Sequence, residues 1–100
     1  MTAGRAERIK AILEATLAPV ALSVVDESGR HAGHAGNPDG AGETHYRVHA
    51  VSARFYGLGR VARQRLVHQA LAAEFASGLH ALSLRLETPE EARRDASPAK

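Results

Sequence analysis

Apolar residues along the chain recur with two different periods, and each change of period marks a new element. Ile9, Ile12, Leu13 and Leu17 stand three or four residues apart, with Arg8, Lys10 and Glu14 between them. That spacing predicts an amphipathic helix. Pro19 ends it, because proline cannot supply the next amide donor and disfavours helix at the residue before it. From about residue 20 to 26 the pattern VALSVVD alternates and is rich in β-branched residues, which predicts a strand.

Residues 27–43, ESGRHAGHAGNPDGAGE, hold five glycines and a proline. Ordering such a chain costs too much entropy for regular structure, so a long loop is expected. A second strand follows at about 44–52. Thr44, Tyr46, Val48 and Ala50 share one side; His45, Arg47, His49 and Val51 share the other. Two strands joined by a loop alone pair most easily as antiparallel neighbours.

The stretch from Leu58 to Ala76 is helical in pattern but contains a conflict. Leu66, Val67, Ala70, Leu71 and Phe75 form an apolar face, and one continuous helix would press Arg63 into it. A break near residues 61–63 removes the conflict and is the expected arrangement, with the longer helix ending at Gly78. In SGLHALSLRLE, residues 77–87, Leu82, Leu84 and Leu86 alternate with Ser83, Arg85 and Glu87. This is a half-buried strand, and a period of two places His80 on the leucine side, at the mouth of that face. The polar end TPEEARRDASPAK is expected to make one helical turn and then fray.

The element order is therefore α-β-β-α-α-β. It predicts an α+β fold with helices on one face of a small three-stranded mixed sheet. One domain over residues 1–90 and a polar tail over 91–100 account for the length, and no internal repeat is visible.

Composition narrows the chemistry. There is no cysteine, which excludes disulfides, thiolate metal sites and a cysteine nucleophile within the chain. Six histidines carry most of what remains. No apolar run is long enough to span a bilayer, and the amino terminus lacks the apolar core of a signal peptide. A cytoplasmic location without membrane attachment is expected. The net charge is only +2, yet no acidic residue lies between Glu43 and Glu74. Arg47, Arg54, Arg60, Arg63 and Arg65 all fall in that interval, giving a basic middle suited to anionic partners.

Four stretches then carry a resemblance. VVDESGRH (24–31), THYRVHAVSARFYG (44–57), RQRLVHQALAAE (63–74) and LHALSL (79–84) resemble the BolA-like proteins in order and spacing, across essentially all of residues 5–88. The resemblance implies a small α+β fold related to class II KH domains. It also implies a partner, a monothiol glutaredoxin of the CGFS type, with which family members hold a [2Fe–2S] cluster or pass iron during iron–sulfur assembly and iron homeostasis. In such a pair a glutaredoxin cysteine and glutathione serve one side of the cluster, and the BolA-like chain supplies the rest. On this chain the implied ligands are His80 and a loop histidine, placing it in the histidine-bearing branch. His31, directly after DESGR, matches the family position; His34, three residues on, is the alternative. His45 also matches a family histidine and is assigned the orienting of the loop. Gln64 stands where many relatives have histidine, and no ligand is placed there. Without its partner the chain is expected to be a monomer or weak dimer.

Imidazole chemistry is consistent with that role. Neutral histidine is a competent iron ligand, it raises a cluster's potential where it replaces cysteine, and it releases metal on protonation. His49 and His68 are read as surface or half-buried polar residues.

The arginines support a rival function. Arg60, Arg63 and Arg65 lie in a helix-turn-helix-like segment and could contact a protein partner or DNA phosphates, and family members have been described as transcriptional regulators. Against DNA, the GLG of residues 57–59 is too short for a nucleotide-clamping GxxG loop, and +2 is thin for a tight duplex binder. No nucleophile–base arrangement or paired carboxylates have supporting context, so an enzyme is not expected.

Overall fold

A computed structural model describes residues 4–27 and 45–96 of the chain. Helix α1 (Arg5–Leu17) is followed by strands β1 (Ala21–Asp26) and β2 (His45–Val51). A single 3-10 turn at Ala53–Phe55 leads into α2 (Arg60–Ala70) and α3 (Ala72–Ala76), then β3 (Ala81–Glu87) and α4 (Pro89–Ala96). Strand β1 starts one residue later and β2 ends one residue earlier than their patterns suggested, and Thr44 lies outside the described residues. The predicted loop, 27–43, lies outside the described residues except for Glu27.

The sheet has the order β1-β2-β3, antiparallel between β1 and β2 and parallel between β2 and β3. The α2–α3 crossover makes the parallel pairing possible, since parallel neighbours cannot be joined by a tight turn. Tyr46, Val48 and Ala50 of β2 face inward, where they meet Ile9, Leu13 and Leu17 of α1 and Val67 of α2 in one buried cluster. The i, i+4 spacing of the three α1 residues puts them on one stripe, and all three are fully buried. Phe55, Leu71 and Leu79 complete the cluster. Ser52 fastens the end of α1 to the end of β2, its hydroxyl donating to the Leu17 carbonyl at 2.6 Å.

The α2 helix runs unbroken through residues 61–63, so the predicted break there is wrong. Arg63 does turn toward the interior, but its charge is satisfied instead of avoided. Its guanidinium donates to the Leu58 carbonyl at 2.9 Å, to the Leu86 carbonyl at 3.0 Å and to the Glu91 carboxylate at 2.7 Å. It also lies 5.6 Å above the centre of the Phe55 ring. A partly buried cation is tolerated when paired and hydrogen-bonded, so the helix need not break. The actual interruption comes at Leu71 (φ −100°, ψ 16°), between α2 and α3.

The carboxy-terminal helix is also longer than expected, two turns where one was predicted. Thr88, Pro89, Glu90 and Glu91 explain it. The Thr88 hydroxyl accepts from the Glu91 amide at 3.2 Å, and the Glu91 carboxylate accepts from the Thr88 amide at 2.9 Å. This is a reciprocal cap with proline at the first helical position.

A buried ion cluster joins α1 to the end of α3. Glu74 accepts from Arg5 at 2.8 Å and from Arg8 at 2.9 Å. Arg5 also donates to the Glu74 carbonyl, the Ser77 hydroxyl and the Ser77 carbonyl, each at 3.0 Å. Gly78 follows with φ +127°, and a Cβ there would stand 3.0 Å from Arg5 Nη2. Glycine is thus needed both for the turn and for the arginine's approach.

Candidate histidine site at the base of the loop

The turn at Ser77–Gly78 delivers the chain to β3 through Leu79 and His80. Leu79 is 4% exposed and its amide donates to the Glu74 carbonyl at 2.9 Å. His80 is exposed. Leu79 is the residue anchored in the core, and His80 is exposed where the leucines of β3 are half-buried. A buried leucine on one side and a paired strand on the other hold its backbone.

His45 opens β2, and its Cα is in register with that of Ala81 on the parallel neighbour. The outcome is a pair of imidazoles, His45 and His80, with ring centroids 5.5 Å apart and planes tilted by 48°. The Glu27 amide donates to the His45 carbonyl at 2.8 Å, closing the β1–β2 ladder at that level. Glu27 and His45, the described residues that flank segment 28–44, are therefore tied to each other. The Arg47–Glu27 ion pair at 2.9 Å adds a second cross-strand link.

Of the residues singled out from the sequence, the structure brings His80 and His45 together. His31 and His34 lie outside the described residues. Among the described residues no three histidine, aspartate or glutamate side chains are grouped to hold a metal ion. His49 is half-buried and its Nε2 lies 2.7 Å from Glu87 Oε1, a structural pairing across β2 and β3. His68 is exposed and stacks on Phe75 at 5.2 Å.

The arginine segment is a separate region. Arg60 and Arg65 are exposed, whereas Arg63 has its donors engaged internally and is not presented to a partner. A groove of about 690 Å³ runs between α2, β3 and α4, crossed by the Arg63–Glu91 and Arg85–Asp95 pairs. Arg63 holds the Glu91 carboxyl well below its ordinary value, at about 2, aided by the Thr88 amide. Arg8, and Arg5 behind it, also lower Glu74 in spite of its burial.

The family model for BolA-like protein matches residues 13–91. The chain belongs to the BolA-like family. It is 45% identical to BolA-like protein 1 of Mus musculus over 87 residues, covering 87% of this chain and 60% of that relative. It is 47% identical over 90 residues to SufE-like protein 1, chloroplastic/mitochondrial, of Arabidopsis thaliana, covering 87% of this chain and 24% of that relative. The chain thus spans less than two thirds of either relative. The solved BolA domain of SufE1 from Arabidopsis thaliana superposes with a TM-score of 0.79 at 44% identity, covering 91% of this chain and 99% of that one. The α+β arrangement described above is therefore a BolA arrangement. No described helix of this BolA-like chain is long and apolar enough to cross a membrane.

Proposed function

We propose that this BolA-like chain is the histidine-bearing half of a [2Fe–2S] centre shared with a monothiol glutaredoxin and glutathione, acting in iron–sulfur assembly or iron homeostasis. The role is binding and transfer, not catalysis. The observation that carries the reading is His80, an exposed imidazole on a backbone held by buried Leu79 and by β3, with its ring 5.5 Å from that of His45, the first described residue after the segment that carries His31 and His34. The donor set fits: this cysteine-free chain offers neutral nitrogen ligands, and thiolate ligands would come from the partner side.

On this reading His80 is the fixed ligand, and a loop histidine, His31 or His34, is the second. His45 orients the site: its ring lies against that of His80 while its carbonyl accepts from the Glu27 amide. The cluster would supply exchangeable iron and sulfide when bound, and the chain would supply two nitrogen ligands to hold it.

The test mixes the chain with a CGFS-type glutaredoxin, iron, sulfide and glutathione, and records visible circular dichroism. His80→Ala is expected to abolish the spectrum of the mixed complex. An unchanged spectrum and unchanged complex stability in His80→Ala remove His80 as a ligand and the proposal with it. His31→Ala and His34→Ala, run side by side, identify the loop ligand.

A further inference from the structure

The two edges of the sheet differ in how they are protected. At β3, Arg63 takes the Leu86 carbonyl and Arg85 is tied to α4 through Asp95, which guards that edge. At β1, no described strand pairs with the outer side. Its six residues, ALSVVD, include no proline, lysine or arginine, the residues that usually blunt an edge. Val25 is 45% exposed and Val20, just before the strand, 70%. We infer that the open edge of β1 pairs with β1 of a second copy of this chain, antiparallel about a two-fold axis through Ser23, to give a weak dimer with one sheet continuous across both chains.

Backbone direction and side-chain pattern together select that register. The Glu27 amide donates to the His45 carbonyl across the β1–β2 pair. Directions alternate along an antiparallel strand, so Ala21, Ser23 and Val25 also turn their N–H and C=O groups toward β2, while Leu22 and Val24 turn theirs to the open edge. An axis at Ser23 sets Leu22 of each copy opposite Val24 of the other. Both residues are half-buried and pack on the core, so the apolar rows of the two sheets join. On the outer face Ser23 meets its own copy, and exposed Val25 lies against Ala21 of the other chain. The two Asp26 residues stand at opposite ends of the ribbon, about 20 Å apart, so like charges do not meet. Moving the axis to Val24 would instead set Asp26 opposite Leu22.

Only a short strand of each copy is covered, which places the dissociation constant at roughly 10 μM to 1 mM. On the far side of β2 from this edge lies β3, so the pairing leaves His80 open and stands or falls apart from the shared cluster.

A chain without cysteine makes cross-linking a clean test. The two Ser23 positions form a non-hydrogen-bonded pair with Cα atoms about 4.5 Å apart, within the span of a disulfide. Ser23→Cys, oxidised with diamide, is expected to give a disulfide-linked dimer, and Ser83→Cys, equally exposed on β3, is not. In sedimentation velocity the wild type should pass reversibly from monomer to dimer as its concentration rises. Ser23→Lys, which opposes two like charges at an exposed position, should weaken that dimer about tenfold or more. A wild type still monomeric at about 1 mM, an undiminished dimer in Ser23→Lys, or cross-linking of Ser23→Cys no faster than that of Ser83→Cys overturns the inference. The concentration series needs no variant, so a poorly folding variant does not remove the test.

Discussion

Arg63 and Glu91 meet through two hydrogen bonds, of 2.7 and 3.2 Å, and so join a helix from the middle of the chain to the helix at its end. The same guanidinium reaches the Leu86 carbonyl on β3. One side chain thus ties α2, β3 and α4 together.

Replacing Arg63 should accordingly cost more than a surface arginine does. Arg63→Met keeps much of the stem's packing but leaves the Leu58 and Leu86 carbonyls and the Glu91 carboxylate without their donors. A loss of about 2 kcal/mol is expected in urea denaturation. Arg63→Lys should recover only part of it, since an ammonium lacks the guanidinium's planar fork. A midpoint for Arg63→Met equal to that of wild type shows that the link carries no stability.

Acid should loosen the same link. Glu91 titrates at about 2 in the folded chain against an ordinary value of 4.5, and Glu74 is lowered as well. A carboxylate whose folded value is depressed contributes stability that is present above its unfolded value and lost as the pH falls toward the folded one. Stability should thus decline between about pH 5 and pH 2, and Glu91→Gln should flatten part of that slope. Urea midpoints taken at intervals across this range check it; parallel curves for the two proteins contradict the assignment.

Glu74 is the harder residue to lose. Its side chain is 7% exposed and faces Arg5, itself 10% exposed, so Glu74→Gln takes the counter-charge from a buried cation while leaving its carbonyl and hydroxyl acceptors. A destabilisation of about 3 kcal/mol is expected by thermal or chemical denaturation. Substituting Arg5 by methionine in the same molecule should restore part of it, and no such rescue is expected if the two residues act independently.

Ala18 offers a change in the other direction. It ends α1 in the left-handed region, with φ 43° and ψ 55°, which carries a steric cost for any residue with a Cβ. Ala18→Gly removes that cost and should raise stability by about 0.5–1 kcal/mol, less whatever the freer unfolded chain takes back. A lowered melting temperature in Ala18→Gly contradicts this account.

Much of the fold could be read from periodicity. The leucine and isoleucine stripe of α1, the Tyr46-Val48-Ala50 alternation and the leucines of β3 each point to the face that is buried. Arg63 was misleading because local pattern treats a charge on an apolar face as an error, whereas three distant acceptors accommodate it. Those acceptors come from residues 58, 86 and 91, which no helical period links. The α4 helix was underestimated although its signal is local: threonine, proline and then glutamate three residues after the threonine mark a capped start.

At the histidine site, alternation says nothing of how exposed His80 is, because it stands one residue before the strand begins at Ala81. Nor does it show the meeting with His45, which depends on the register between β2 and β3. Family resemblance marked both residues separately, and the sheet places them side by side.

That parallel register has a further consequence. The two imidazoles come from positions 45 and 80, and everything between them must fold before they meet. Their contact therefore reports a completed crossover, since the two rings become neighbours only once β3 has docked beside β2.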